Sequence, residues 1–194
     1  MKIAAVSQRI DDYPDRDEHR DALDGRISAL LLAASLLPFP VPNHLGPHLS
    51  AWLQALAPNL IILSGGNVAG QKPIRDALEK QLLRHAEANR LPLLGICRGM
   101  QIMALHAGGD LKTVSGHVRT RHQLSGRIQR NVNSYHDQAL SSVPDGYQVT
   151  ATSEDGTIEA IRHHHLPWEG RMWHPERETP FPQEDLDDLR SLLA

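Results

Sequence analysis

The sequence predicts an α/β fold: a mostly parallel central sheet with helices on both faces and antiparallel strands added in the C-terminal half. Three observations support this. Apolar segments of strand length alternate with helical periodicity four times before residue 107, the pattern of a parallel sheet with right-handed crossovers. After Gly108-Gly109 the pieces become shorter and more polar, as antiparallel pairs do. At 194 residues and 40% hydrophobic content the chain suffices for one well-buried core and is short for two, so residues 1–194 are expected to form a single domain.

Lys2–Ser7 reads as the first buried strand, with Gln8-Arg9 at its carboxyl end, where open α/β sheets bind ligands. Residues 11–24 are crowded with charge and read as a loop that becomes the first turn of a helix. Residues 27–37 continue as that helix, apolar on most faces, until Pro38. Residues 39–42 (FPVP) suit an edge strand, because proline cannot donate to a central ladder. A short helix over Leu49–Leu56 precedes a continuous apolar strand at 59–63, which opens into Ser64-Gly65-Gly66. Pro73 then starts a helix to about Asn89, with Ile74, Ala77, Leu78, Leu82 and Ala86 as its core face. The glycine spacing of 65 and 70 falls short of a phosphate-binding loop, since Gln71-Lys72-Pro73 stands where Gly-Lys-Ser/Thr is required.

Residues 91–105 (LPLLGICRGMQIMAL) run from a buried strand into a helix through the chain's one cysteine. Gly95 and Gly99 flank Cys97 at two residues on each side, as a strained nucleophile elbow demands. A helix N-terminus at that point favours a thiolate. A lone cysteine there is also a small buried hydrophobe in many proteins. Downstream, Trp173-His174-Pro175-Glu176 adds the base and the carboxylate that a thiol nucleophile needs. On a strand His174 and Glu176 would share a face.

Further strands are expected at 111–114, 123–129, Tyr147–Thr152, 157–162 and 169–173, with Asp155-Gly156 turning a hairpin and an amphipathic helix over 184–193. The formal charge of −3 and scattered basic residues leave no stripe for nucleic acid. No segment reads as a secretory signal or membrane span, so the expectation is a cytoplasmic protein without a membrane partner. One cysteine excludes an internal disulfide. His163-His164-His165 reads as a polar strand end rather than a metal site, and no metal is expected. No cofactor fingerprint is present either.

Ile62-Leu63-Ser64-Gly65-Gly66, Gly95-Ile96-Cys97-Arg98-Gly99-Met100-Gln101, Asn133-Ser134-Tyr135-His136 and Trp173-His174-Pro175-Glu176 stand in the order and register of one family. With these motifs the chain resembles the class I glutamine amidotransferases and their γ-glutamyl hydrolase relatives. Within these it is most similar to the γ-glutamyl-γ-aminobutyrate hydrolase branch. Ser7-Gln8-Arg9, Ala22-Leu23-Asp24 and Met172 to Glu178 extend the likeness to the γ-glutamyl-CDP-amidate hydrolases of capsular phosphoramidate biosynthesis. The resemblance implies a flavodoxin-like three-layer sandwich. It implies Cys97 as nucleophile, His174 as base and Glu176 as its orienting acid, with the amides of Gly66 and Arg98 as oxyanion hole. Gly65, Gln101, Ser134, Tyr135, His136 and Arg9 would contact a small γ-glutamyl substrate, and Arg9, Arg98, Arg119, Arg121 and Arg177 are candidates for a phosphorylated leaving group. The alternative is a glutaminase subunit feeding ammonia to a separate synthetase; a non-catalytic domain of the same fold is a third reading, opposed by the intact Cys97, His174 and Glu176. The oligomeric state stays open, a homodimer included.

Overall fold

A computed structural model describes residues 1–193. In chain order the elements are β1 (Lys2–Ser7), β2 (Arg9–Tyr13), β3 (Glu18–Ala22), α1 (Gly25–Ala33), β4 (Leu36–Val41), α2 (Leu49–Leu56), β5 (Leu60–Leu63), α3 (Pro73–Ala88), β6 (Leu93–Ile96) and α4 (Arg98–His106). The second half holds β7 (Leu111–Thr113), β8 (Val118–Gln123), β9 (Ser125–Gly126), β10 (Asn131–Tyr135), β11 (Gln138–Leu140), β12 (Tyr147–Thr152), β13 (Ile158–His163), β14 (Trp168–Arg171) and α5 (Gln183–Ser191).

Eight strands form the central sheet in the order β4-β1-β5-β6-β14-β13-β12-β9. The run from β4 to β14 is parallel, and β13, β12 and β9 extend it antiparallel. Alternation along the strands sends residues to two cores. Ala5, Ile61, Leu63 and Leu93 pack under α2, α3 and α4. Ala4, Val6, Leu60, Ile62, Leu94 and Ile96 face α1 and α5. The result is the expected three-layer α/β sandwich, and β4 takes the edge its prolines require.

Four expectations fail for identifiable reasons. Residues 11–24 are not a loop entering a helix: β2 and β3 form an antiparallel hairpin. Its register sets Asp11 opposite Arg20 and Asp12 opposite His19; His19 Nδ1 lies 2.7 Å from Asp12 Oδ1 across the ribbon and Arg20 lies over the Tyr13 ring, so polar cross-strand contacts support the pairing that the charge density obscured. The first helix ends at Ala33, and Leu36-Leu37 join β4 after Ser35 takes φ of 63°. The strand expected at 123–129 divides into β8, which begins earlier, and the two-residue β9. Finally, α3 buries Arg75, Leu78, Glu79, Leu82, Leu83 and Ala86 and exposes Ile74 and Ala77. The stripe is rotated from the apolar-only choice because two charged residues belong to it.

Candidate active site

The carboxyl end of β6 delivers Cys97, and the backbone there is strained as an elbow must be, with φ of 51° and ψ of −107°. Its glycine neighbours are obligatory. A Cβ on Gly95 would lie 2.6 Å from the Gly99 carbonyl carbon and the Met100 nitrogen, and one on Gly99 would overlap the Leu63 carbonyl oxygen. The Cys97 amide donates to Arg171 O at 2.6 Å, tying the elbow to the end of β14.

Three residues past β14, His174 arrives in the same place. The strand ends at Arg171, and His174 caps a 3-10 turn over Pro175–Arg177. The shared face expected of a strand is therefore not what joins His174 to Glu176; the turn brings Glu176 Oε1 to 2.7 Å from His174 Nδ1. Asn133 latches the backbone: its Oδ1 accepts from the His174 amide at 2.9 Å and its Nδ2 donates to His174 O at 2.8 Å. Nothing in the sequence singled out Asn133 beyond its place in a motif.

Gly65 lies against both reacting groups, since a Cβ there would be 2.8 Å from His174 Cε1 and 3.7 Å from Cys97 Cβ. Burial works to lower the His174 pKa, but hydrogen bonding and charge from Cys97 and Glu176 outweigh it and raise the pKa to about 9.

A buried ion network sets the loop beside the elbow. Arg75 donates to the carbonyls of Ser64 (2.7 Å), Gly65 (3.1 Å) and Gly66, and to Asn67 Oδ1 (3.1 Å). In a planar trans peptide the C=O and the next N–H point in opposite directions. Holding Gly65 O toward Arg75 therefore turns the Gly66 N–H away from it. Glu79 joins the parts, accepting from Ser7 Oγ (2.7 Å), Arg75 Nε (3.0 Å) and Arg98. Burial lowers the Arg75 pKa to about 10, with Glu79 opposing the shift, so it remains a cation. Sequence reasoning missed Arg75 and Glu79 because it admitted only apolar residues to the core stripe. The run 75, 78, 79, 82, 83, 86 has full helical periodicity once they are included.

These groups border a pocket of about 420 Å³ lined by Arg9, Gly66, Cys97, Arg98, Gln101, Tyr135, His136, His174 and Arg177. Gln101 donates to Gln138 O at 2.9 Å. Ser134 is fully buried, with its hydroxyl on His117 O at 2.7 Å; it stands behind the pocket wall and does not line it. Tyr135 lines the pocket under the Arg177 guanidinium, 4.4 Å from its ring centroid. Of the five arginines considered, Arg9 and Arg177 line the pocket with partly exposed side chains. The Arg98 guanidinium is taken up by Asp76 and Glu79. Arg119 and Arg121 are outside the lining, and Arg121 pairs with Glu178. His163 ends β13, and its Nδ1 accepts the amides of His165 and Leu166, each at 3.0 Å.

A parallel sheet ending in an elbow cysteine, with a histidine and a glutamate across it, defines an α/β protein with a thiol-centred candidate site. Residues 33–184 match the family model for glutamine amidotransferase class-I, and the chain belongs to that family. It is 32% identical over 127 residues to the γ-glutamyl-CDP-amidate hydrolase of Campylobacter jejuni, a match covering 61% of this chain and 62% of that one. It is also 32% identical over 140 residues to one subunit of the glutamine-hydrolysing GMP synthase of Methanocaldococcus jannaschii, covering 66% and 71%. The chain spans less than two thirds of the first of these relatives, and 45% and 17% of two others. The crystal structure of a provisionally assigned GMP synthase subunit from Thermoplasma acidophilum superposes with a TM-score of 0.75 at 19% identity, covering 100% of this chain and 93% of that one. At that identity the likeness speaks for the fold.

Proposed function

We propose that the protein is a thiol hydrolase of γ-glutamyl amides, working through a γ-glutamyl thioester on Cys97. The observation that carries this reading is the meeting of Cys97, at its strained elbow, with a buried His174 whose far nitrogen is held by Glu176 at 2.7 Å. His174 takes the thiol proton and retains it as an imidazolium beside Glu176. The sulfur attacks the γ-carbonyl carbon, and the amides of Gly66 and Arg98 receive the developing oxyanion. Arg98 opens α4, where first-turn amides have no partner within the helix. Collapse breaks the C–N bond, and His174 returns its proton to the leaving nitrogen. A water then gives a proton to His174 and attacks the thioester, releasing glutamate and the thiol.

The leaving group we favour is a phosphoramidate of the kind named for the Campylobacter relative. Arg9 and Arg177 at the pocket support this, being cations with partly exposed side chains. The relatives that are GMP synthase subunits favour a second reading, a glutaminase that delivers ammonia to a synthetase. Glutamate release by the isolated protein decides between them, measured on L-glutamine, γ-glutamyl amines and γ-glutamyl nucleoside diphosphoramidates beside a Cys97→Ala control. Fast turnover of one conjugate, absent in the control, supports the hydrolase. Slow glutamine hydrolysis alone refutes it in favour of the partner-dependent enzyme.

A further inference from the structure

At the pocket wall, where His136 is part of the lining, and behind it, three buried ionisable side chains from separate segments converge. His117 precedes β8, His136 follows β10 and Glu159 lies on β13; they are 1%, 4% and 0% exposed. Their ligand atoms all lie within 4.8 Å of one another. Glu159 Oε1 is 3.3 Å from both His117 Nδ1 and His136 Nε2.

Hydrogen placement makes this arrangement informative. His117 Nε2 is 2.9 Å from Asp155 Oδ2. The other oxygen of that carboxylate, Asp155 Oδ1, accepts from Ser153 Oγ at 2.7 Å and from the Thr157 amide at 3.0 Å, so Asp155 acts as an acceptor and His117 Nε2 carries the hydrogen. His136 Nδ1 is 3.1 Å from the carbonyl of Gln138 and must likewise donate. A neutral imidazole has one N–H. Both inward nitrogens therefore turn lone pairs toward a carboxylate. Among the described residues, neither they nor either oxygen of Glu159 has a hydrogen-bond partner. Converging acceptors in a buried space call for a cation held between them.

We propose that His117 Nδ1, His136 Nε2 and Glu159 form a binding site for a divalent transition metal of the zinc type. Metal-bound histidines characteristically donate their other N–H to a carboxylate or a backbone carbonyl, the roles filled here by Asp155 and Gln138 O. The 3.3 Å spacings match the roughly 3.4 Å edge of a tetrahedron with bonds of about 2.0–2.1 Å. Two histidines and a carboxylate suit zinc, and the charge of the ion balances Glu159 and Asp155. Such an ion would rivet the ribbon of β8 and β10, which carries Asn133 and Tyr135, to the central sheet. The absence of a metal expected from the sequence rested on His163 to His165, whereas this set comes from three stretches that only folding unites.

The test uses Cys97→Ala protein, which removes the thiol as a competing ligand, stripped with a chelator and dialysed against micromolar free zinc. The expected result is one equivalent bound, by mass spectrometry, and a thermal midpoint roughly 5–10 °C higher at a hundredfold excess over Kd. Cobalt in place of zinc should give the visible absorption of a low-symmetry site. Glu159→Gln and His117→Asn in that background should each lose at least tenfold in affinity, while His163→Asn/His165→Asn keeps it. Substoichiometric zinc with no thermal shift in the parent protein, which involves no variant of the site, would overturn the proposal. So would unchanged affinity in folded Glu159→Gln, or loss confined to the His163/His165 variant.

Discussion

Arg75 offers the sharpest test of how this fold prepares its site. Replacing it with Met removes donors to the carbonyls of Ser64, Gly65 and Gly66 and to Asn67, and strips Glu79 of one of its two buried cations. Breaking a buried ion pair costs about 3–5 kcal/mol, a large part of the roughly 5–15 kcal/mol that holds a domain together. The loop would also lose the restraint that turns the Gly66 amide from Arg75, and a lost oxyanion donor costs about 100- to 1000-fold in turnover. Arg75→Lys separates the two effects. It keeps a cation near Glu79 but, as a single ammonium in place of a planar fork, cannot hold three carbonyls together. The expected outcome is a thermal midpoint much closer to that of the parent than Arg75→Met shows. The Lys variant's kcat for glutamate release should still fall by at least tenfold, with KM little changed. A folded Arg75→Lys protein with kcat within twofold of the parent would refute the claim that this network aligns the loop.

The remaining predictions concern neighbouring contacts. Gly65→Ala should fold yet lose most of its glutamate release, because the new methyl meets His174 Cε1 at 2.8 Å; Gly99→Ala should fail to accumulate as folded protein, since backbone at Leu63 blocks its Cβ. Asn133→Ala removes both hydrogen bonds to the His174 backbone and should cost about 1–3 kcal/mol in urea denaturation, with a fall in kcat exceeding any rise in KM. The His174 pKa is raised in the folded state to about 9 from an ordinary 6.5. Its contribution to stability should therefore be complete below pH 6.5 and be lost as pH rises through 9, and Cys97→Ala should narrow that window in urea titrations across this range. Arg177→Ala should raise KM for a nucleoside diphosphoramidate substrate at least tenfold while leaving L-glutamine hydrolysis within about twofold; equal effects on both would argue against a phosphate contact there.

What could be read from the sequence was local or periodic. Buried strands such as β5 and β6 announce themselves as short apolar runs, and the elbow was visible because steric exclusion around Cys97 demands glycine at 95 and 99. The β12–β13 hairpin followed from Asp155-Gly156, whose turn chemistry is confined to a few residues. Charge defeated the same reasoning twice. In β2 and β3 its density suggested solvent, although cross-strand register makes the charges complementary. In α3, the core face drawn from apolar residues left out Arg75 and Glu79, which Ser7, Ser64 and Arg98, from three other parts of the chain, close around. By itself the sequence determined the alternation of strands and helices from β4 to α4, the family motifs, and Cys97, His174 and Glu176 as candidates for the site. Tertiary structure alone decided that a turn rather than a strand joins His174 to Glu176, that Asn133 latches the histidine, and that His117, His136 and Glu159 meet. The physical reason is that a buried charge is tolerable only beside partners brought from distant parts of the chain, and sequence spacing carries no record of who those partners are.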